Sequence, residues 1–306
     1  MNVKTCAAVA AAVLAGAAAA AAKPSYKTLI SHRGESVDAP ENTLPAFKTA
    51  VERGFGFECD VYLSTDGRVF TFHDGNLNRT SGGKNKKPCR EASWEEDLKD
   101  LDVGGWGPWK GSKFEGTRPA LLEEVLELAR DGRYIYVEVK VGPEIVPYIK
   151  RVFAKQSKAT PANALFITFN NDTCRELKKQ MPEYKVYWLT GSRVKTPDGD
   201  VAPVTARYII DNLKDMGVDG VDCHYGDDCV TKELVDEVKA AGYEFHVWTV
   251  DSLPRTLEAF KRGAQTVTTN CARKQLREYK ALKKAKGAAG KKKAGAKKAR
   301  AGKEAD

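Results

Sequence analysis

Two pairs of charged side chains, each spaced two residues apart, are the clearest chemical feature of this 306-residue sequence. Glu58 and Asp60 form one pair, and Glu138 and Lys140 form the other. In an extended strand, residues two apart point to the same face, so the members of each pair would lie together. Three converging carboxylates repel one another unless a cation neutralises them. Because their donor atoms are all oxygens, they predict a site for a hard divalent ion, Ca2+ or Mg2+.

Histidines and fixed positive charges accompany these pairs. Of the four histidines, His32 and His73 each stand at the end of a run that is predicted to be a strand. Histidine exchanges protons near neutral pH, so two histidines facing a bound cation would form an acid/base pair. Arg33 and Lys140 supply charges suited to phosphate oxygens. The set predicts metal-assisted phosphoryl transfer, and scattered structural polar residues are the alternative.

An alternating series of strands and helices is predicted to carry these residues. Runs rich in β-branched and aromatic residues are predicted as eight strands: 28–33, 55–63, 134–140, 164–169, 185–189, 218–224, 244–250 and 265–270. Helical periodicity predicts eight helices: 44–53, 121–130, 144–155, 172–180, 204–216, 232–241, 253–262 and 273–283. The alternation favours an α/β fold, a (β/α)8 barrel of the TIM type, with a doubly wound open sheet as the alternative. Barrel active sites form at the carboxyl ends of the strands, where the charged pairs would lie.

The predicted barrel is interrupted after its second strand. Thr65-Asp66-Gly67 is typical of a hairpin turn, and residues 68–74 are predicted to return as an antiparallel strand. Residues 75–117 then form an insertion that is longer than an ordinary connection. Its three tryptophans favour a packed segment over the barrel mouth.

The first 22 residues have the pattern of a signal peptide. Lys4 precedes an apolar run over residues 7–22, which ends in small residues suited to cleavage before Lys23. An uncleaved membrane anchor is the alternative. This alanine-rich run is, however, short beside the ~20 residues that a membrane span needs. The pattern predicts an exported protein, either periplasmic or secreted.

Positive charge is concentrated at the carboxyl end. The net charge is +9, and residues 280–306 contain 11 basic and 2 acidic residues, so the rest of the chain is balanced. The charge therefore gives no reason to expect specific nucleic-acid recognition by the folded part. We predict a barrel domain over residues 23–283 and a disordered Lys/Ala/Gly-rich tail over residues 284–306. Such a tail would suit acidic polymers or anionic envelope surfaces, and a purely solubilising tail is the alternative.

A series of short motifs runs along residues 29–270. In chain order they are Ser31-His32-Arg33-Gly34, Pro40-Glu41-Asn42-Thr43-Leu44, Glu58-Cys59-Asp60-Val61, Thr65-Asp66-Gly67, His73-Asp74, Leu77-Asn78-Arg79-Thr80, Val137-Glu138-Val139-Lys140, Thr168-Phe169 and Val247-Trp248-Thr249-Val250. This series resembles the glycerophosphodiester phosphodiesterase family. The motifs of the first half are highly specific, whereas those of the second half are short.

The resemblance implies a metal site and an acid/base pair. Three carboxylates match the positions that bind one divalent cation in the family: Glu58, Asp60 and Glu138. Two histidines match its acid/base pair: His32 and His73.

Four further residues match positions around the substrate. Arg33 and Lys140 fall where basic residues meet the phosphate, and Trp248 falls where a tryptophan lies near the substrate. By spacing alone, Trp248 would serve barrel packing. Glu41 would support Arg33 and the start of the first helix, with an ordinary helix-start carboxylate as the alternative.

Two positions depart from the family pattern. Asp251 stands where asparagine is usual, and Asn270 stands where aspartate is common at the end of the eighth strand. We expect neither to touch the metal or histidine residues, so both would affect substrate detail and not the reaction class.

The resemblance implies hydrolysis of glycerophosphodiesters to sn-glycerol 3-phosphate and an alcohol. The nucleophile would be water or the 2-hydroxyl group of the substrate. A lysophospholipase D-like or other lipid-headgroup phosphodiesterase is one alternative. An envelope-associated binding protein that uses its basic tail is another, from a different class.

Overall fold

Eight parallel strands close into a barrel in the structure, a computed structural model that describes residues 22–196, 198–226 and 228–301. The strands, in chain order, are β1 (Leu29–Ser31), β2 (Gly56–Leu63), β3 (Val69–Thr71), β4 (Ile135–Val139), β5 (Ala164–Thr168), β6 (Val186–Thr190), β7 (Arg193–Lys195), β8 (Val201–Pro203), β9 (Gly220–His224), β10 (Glu244–Trp248) and β11 (Val267–Thr269). The parallel ring runs β1, β2, β4, β5, β6, β9, β10, β11. It closes because β1 pairs with both β2 and β11. The predicted (β/α)8 barrel is confirmed, and the open sheet is excluded.

Helices surround this ring. They are α1 (Leu44–Glu52), α2 (Leu122–Leu126), α3 (Val146–Ala154), α4 (Asn171–Gln180), α5 (Ala206–Met216), α6 (Lys232–Ala240), α7 (Leu253–Arg262) and α8 (Ala272–Ala301). Side chains of Asn170, Thr205 and Thr231 accept hydrogen bonds from the first turns of α4, α5 and α6, which stabilises helix starts. Gly217 and Gly263 end α5 and α7 in the left-handed conformation that favours glycine.

The alternation of side chains along β2 places the charged pair inside the barrel. Phe57, Cys59 and Val61 belong to the main hydrophobic core between the sheet and the helices. Their neighbours Glu58 and Asp60 therefore face the interior. The lower interior is filled by a separate cluster of side chains from the other strands: Ile30, Tyr136, Leu165, Ile167, Tyr187 and Leu189. The charged pair thus lies above an apolar floor.

The hairpin predicted after β2 is present. β3 is antiparallel to β2, with Val61 opposite Thr71, and Gly67 in the turn has a positive φ of 79°. Asp66 joins the turn to the insertion, because its Oδ1 accepts hydrogen bonds from Ser64 Oγ (2.6 Å) and from the backbone N of Trp94 (2.8 Å).

The insertion forms a small core of its own on the hairpin. It contains 3-10 turns at Cys89–Glu91 and Gly107–Trp109 and a π-helical turn at Trp94–Leu98. Buried side chains of this core come from both segments: Tyr62, Phe70, Phe72, Leu77, Cys89, Ala92, Trp94, Leu98, Val103 and Leu121. Of the three tryptophans, only Trp94 is buried. Trp106 and Trp109 are half-buried, so the packed core predicted for the insertion contains one of its three tryptophans.

Three other elements differ from their predicted form. The antiparallel pair β7–β8 was not predicted, because its exposed side chains show no apolar alternation. Helix α2 is half the predicted length. A further 3-10 turn, Pro143–Ile145, occupies the start of the third predicted helix.

Helix α8 continues to Ala301, which differs from the disordered tail predicted from residue 284. Alanine and lysine are strong helix formers, which explains the continued helix. Residues 281–288 are exposed, so packing does not hold this stretch in place. The signal peptide predicted over residues 1–22 lies, except for its last residue, outside the described residues, as do residues 302–306. No helix in the described ranges is long and apolar enough to cross a membrane.

Candidate active site

Three buried carboxylates meet at the carboxyl ends of β2 and β4. Asp60 lies opposite Glu138 in the parallel register, and one oxygen each of Glu58, Asp60 and Glu138 lies within 4.8 Å of the others. Glu58 Oε1 and Asp60 Oδ1 are buried and accept no hydrogen bond from the described residues. Buried carboxylate oxygens without donors fit a hard divalent cation, because such ions take oxygen ligands.

The pKa values of the three carboxyl groups in this triad are shifted in different directions. Burial, followed by the charges of Asp60 and Glu138, raises the pKa of Glu58 well above its usual value. Burial and Asp60 also raise the pKa of Glu138 to about 7. Burial acts in the same direction on Asp60, but Lys140 and Arg33 outweigh it and lower the pKa of Asp60. A bound cation would supply the missing positive charge.

Lys140 and Arg33 flank the triad. Lys140 Nζ donates to Glu138 Oε1 at 2.7 Å and lies 3.4 Å from Asp60 Oδ1. The backbone N of Arg33 donates to Glu58 Oε2 at 2.8 Å, and its Nε lies 3.6 Å from Asp60 Oδ2. Arg33 has a φ of 56°, in the left-handed region that few non-glycine residues adopt. This backbone conformation lets the main chain and the side chain of one residue serve the same site.

Asn42 holds the central carboxylate in place. Its Nδ2 donates to Asp60 Oδ2 at 2.7 Å, and its Oδ1 accepts from the Asp60 backbone N at 3.1 Å. Asn42 also has a positive φ, 55°, a conformation that asparagine tolerates better than most residues. Asn42 stands in the Pro40–Leu44 motif, but the sequence pattern predicted no role for it.

His32 is oriented by a residue that was expected to lie apart from it. His32 Nε2 lies 3.9 Å from Glu58 Oε2, and His32 Nδ1 lies 2.7 Å from Asn270 Oδ1. Asn270 is held in turn by Asp251, to which its Nδ2 donates at 2.7 Å. The expectation that Asn270 does not touch the histidine residues is therefore wrong, whereas Asp251 reaches His32 only through Asn270.

The contact with Asn270 has a consequence for the protons of His32. An amide oxygen only accepts, so this hydrogen bond requires the proton on Nδ1 and leaves Nε2 free to accept when the ring is neutral. Burial and the neighbouring Arg33 lower the pKa of His32 to about 4. The neutral ring therefore presents an unprotonated nitrogen to the triad.

A chain of charged side chains links His73 to Arg33. His73 Nδ1 lies 2.9 Å from Asp74 Oδ1, and Arg79 Nε donates to Asp74 Oδ2 at 2.8 Å. Arg79 also donates to both oxygens of Glu41, each at 2.8 Å. Glu41 Oε1 accepts from Arg33 Nη1 at 2.8 Å, the contact that was predicted for it. Asp74 and Arg79 stand in motifs of the first half of the chain, but the sequence pattern predicted no role for either.

These residues surround one cavity of about 200 Å3 at the barrel mouth. Charged residues from β1, β2, β4 and the hairpin line one half: His32, Arg33, Glu58, His73, Glu138 and Lys140. Mainly uncharged residues line the other half: Ile167, Phe169, Leu189, Asp222, Trp248, Thr249 and Thr268. Trp248 thus faces the cavity, with its ring centroid 5.6 Å from that of Phe169. Seven of the nine predicted site residues line this cavity, and the other two contact its lining: Asp60 lies 3.4 Å from Lys140 Nζ and Glu41 accepts from Arg33.

Comparison with known sequences decides the family. Residues 32–274 match the family model described as the Glycerophosphoryl diester phosphodiesterase family. The chain belongs to this family. A glycerophosphodiester phosphodiesterase from Caldanaerobacter subterraneus subsp. tengcongensis is 31% identical over 249 residues, which cover 80% of this chain and 94% of the relative. Another, from Bacillus altitudinis, is 29% identical over 250 residues, which cover 79% and 94% of the two chains.

Solved structures give the same answer for the phosphodiesterase fold. A phosphodiesterase from Oleispira antarctica, solved in complex with its product sn-glycerol-3-phosphate, matches with a TM-score of 0.69. It is 26% identical and covers 81% of this chain and 94% of its own. The predicted family and enzyme class are confirmed: the chain is a glycerophosphodiester phosphodiesterase, a phosphoric diester hydrolase. The individual roles of its site residues stay predictions.

Proposed function

We propose that this phosphodiesterase releases sn-glycerol 3-phosphate and an alcohol from glycerophosphodiesters, with one divalent cation at Glu58, Asp60 and Glu138. The observation that carries the proposal is the buried triad, whose unpaired oxygens lie beside two histidines and two basic residues in one cavity. The Oleispira antarctica structure supports the product, because that protein was solved with sn-glycerol-3-phosphate bound.

Charge stabilisation comes from three sources in this proposal. A divalent cation held by the triad would polarise the phosphate. Arg33 and Lys140 bind phosphate oxygens and offset the negative charge that develops in the transition state. Glu41 and Arg79 keep the Arg33 guanidinium aimed at the cavity.

Two histidines move the protons. One takes a proton from the nucleophile, and the other protonates the departing alkoxide. His32 is held by Asn270, and His73 is held by Asp74, so each ring is fixed by a partner outside the cavity. Water or the 2-hydroxyl group of the substrate can act as the nucleophile. A transient cyclic phosphate in a phosphorus NMR time course is the signature of the 2-hydroxyl route.

The decisive experiment measures sn-glycerol 3-phosphate released from glycerophosphocholine by residues 23–306. We expect EDTA to abolish release and either Ca2+ or Mg2+ to restore it, and the restoring ion identifies the cofactor. Release that persists in EDTA would contradict the metal site. Failure with both ions would contradict the substrate.

A lipid substrate is a second candidate, favoured by one observation. Phe169 lies at the cavity wall with 49% of its surface exposed, and an exposed aromatic ring next to Trp248 can bind an acyl chain. A lysophospholipase D-like activity predicts faster turnover of lysophosphatidylcholine than of glycerophosphocholine. The same assay with both substrates separates the candidates.

We also propose that the protein is exported and that its basic end binds anionic surfaces. The apolar run over residues 7–22 supports export, and amino-terminal sequencing of the mature protein should begin at Lys23. The 11 basic residues after position 279 support binding to an anionic envelope surface.

Truncation before residue 284 tests the role of the basic end. This cut keeps Lys280, whose Nζ donates to the Tyr26 hydroxyl at 3.1 Å. We expect salt-sensitive binding to anionic vesicles to disappear while turnover of glycerophosphocholine stays unchanged. A collapse of turnover would show that the truncated stretch is part of the catalytic fold.

A further inference from the structure

Asp222 is the one ionisable residue among the described residues that line the uncharged half of the cavity. It lies on β9, which is four strands away from β2 in either direction around the ring. Asp222 therefore faces the triad from the opposite wall. In the parallel register Asp222 stands opposite Leu189 on β6 and His246 on β10, and the nearest cavity-lining residues on this wall are Leu189 and Trp248.

The Asp222 carboxyl group has no structural partner in the part of the chain that the structure describes. The residue is 1% exposed, and its Oδ1 is buried without a hydrogen bond. Trp248 Nε1 donates to the backbone O of Asp222 at 3.0 Å and so leaves the carboxyl group unused. Burying a polar group without a hydrogen-bond partner is unfavourable. A buried carboxyl group without a hydrogen-bond partner in the protein points to a ligand that forms the missing hydrogen bond.

We propose that Asp222 recognises the glycerol portion of the substrate by hydrogen bonding to its terminal hydroxyl group. This inference rests on the proposed hydrolysis of glycerophosphodiesters. Asp222 would be a specificity-determining residue, because it touches a part of the substrate that does not react.

The position of Asp222 in the cavity favours a contact with the glycerol portion of the substrate over a contact with the headgroup. Arg33 and Lys140 hold the phosphate at one wall, and the terminal hydroxyl is the polar group of the glycerol that lies farthest from the phosphorus. The cavity is small, about 200 Å3, and Asp222 is fully enclosed within it. An enclosed group suits the constant part of the substrate, whereas headgroups of varying size need the open mouth.

Burial has a second effect that supports this role. Burial, and then the negative charge of Glu138, raises the pKa of Asp222 well above its usual value. A protonated carboxyl group can both donate and accept a hydrogen bond, as a hydroxyl group does.

The test compares Asp222→Leu and Asp222→Asn on three substrates: glycerophosphocholine, its analogue without the terminal hydroxyl, and bis(4-nitrophenyl) phosphate. We expect Asp222→Leu to lower kcat/KM for glycerophosphocholine by about 10- to 100-fold, the range for an unmade hydrogen bond to a buried group. The other two substrates should change by less than about threefold. Asp222→Asn retains a donor and an acceptor and should recover most of the loss.

Two controls separate recognition from folding. Thermal unfolding of Asp222→Leu should occur at or above the temperature of the parent, because the carboxyl group stabilises no neighbour. Asp219 precedes β9 at the other end of the barrel, where it accepts from Val186 N at 2.8 Å and Lys178 Nζ at 3.1 Å. Asp219→Asn should lower the unfolding temperature and leave the substrate ratios unchanged.

Three outcomes would overturn the inference. In the first, Asp222→Leu hydrolyses glycerophosphocholine as fast as the parent. In the second, its loss is as large on the analogue without the hydroxyl. The third outcome needs one more substrate, a glycerophosphodiester with an uncharged headgroup. A loss of activity with glycerophosphocholine but not with this substrate would assign Asp222 to the headgroup cation. If the parent releases no sn-glycerol 3-phosphate but cleaves bis(4-nitrophenyl) phosphate, the proposed function fails and the inference fails with it.

Discussion

The two halves of the cavity are built on different principles. The half formed by β1, β2, β4 and the hairpin carries six charged or titratable residues, most of them fixed by ion pairs or hydrogen bonds. The half formed by β5, β6, β9, β10 and β11 carries apolar, aromatic and hydroxyl side chains and one buried carboxyl group. The first half suits phosphate chemistry, which all phosphodiesters share, and the second suits selection among them. Changes in the charged half should therefore affect every substrate alike, except that loss of the proton donor should matter less for a substrate whose leaving group needs no proton.

The largest effect is expected from Asp60→Asn. Asp60 lies at the centre of the triad and faces Arg33 and Lys140. Loss of its charge should remove cation binding, measured by calorimetry, and lower turnover of glycerophosphocholine and bis(4-nitrophenyl) phosphate by about 1000-fold, since metal catalysis supplies several kcal/mol. Asp211→Asn on the exposed surface of α5 is the matched control. Selective loss on one substrate would break the division between the halves.

His32→Ala and His73→Ala should each cost about 100-fold or more on glycerophosphocholine, the usual contribution of a general acid or base. A nitrophenolate leaves without help from an acid, so the variant that recovers on bis(4-nitrophenyl) phosphate lacks the proton donor. His224→Ala is the control, because its ring lies outside the cavity lining and 5.2 Å from Trp248. Near-parental rates in both variants would rule out the two-histidine mechanism.

Asn270→Ala should lower kcat by about 10-fold and leave KM almost unchanged. Asn270 orients His32 and touches no substrate-facing group of the triad, and removal of such an outer partner typically costs 10- to 100-fold. Steady-state kinetics on the two phosphodiesters should show the same pattern of losses as His32→Ala, with a smaller size. A change confined to KM would place Asn270 in substrate binding.

The smallest effect is expected for Glu138→Gln, and it concerns the free energy of unfolding of the metal-free protein. Burial and Asp60 raise the pKa of Glu138 from 4.5 to about 7, so the native state binds more protons than the unfolded chain between these values. As pH rises through this range, the unfolded chain loses the proton that the native state keeps, so the free energy of unfolding of the parent falls. In EDTA, the variant should gain stability relative to the parent from pH 4.5 to pH 7, measured by urea unfolding. Saturating cation should reverse the order, because it binds the parent more tightly.

The charged half of the site could be predicted from sequence because its signals are local. Glu58 and Asp60 are two apart on one strand, and Glu138 and Lys140 repeat the spacing on the next strand of the ring. Period-two geometry then fixes their common face. The barrel itself followed from the regular alternation of apolar runs.

The remaining site residues depend on contacts between distant segments. Asp222 is the one acidic residue of β9, and only ring closure shows that it faces the triad. Asn270 reaches His32 across 238 positions of the chain. A carboxylate within a buried strand was the signal that could have identified Asp222, since such a group needs a partner.

The hydrogen-bonded pair of Asn270 and Asp251 changes how this chain should be aligned with its relatives. The resemblance to the family implies an amide at position 251 and a carboxylate at position 270. Here the carboxylate stands at position 251 and the amide at position 270, and Asn270 Nδ2 donates to Asp251 Oδ2 at 2.7 Å. Scored one position at a time, these are two mismatches, although in this fold the two side chains form a single hydrogen-bonded pair. Alignments of such barrels should therefore compare the pair as a single character.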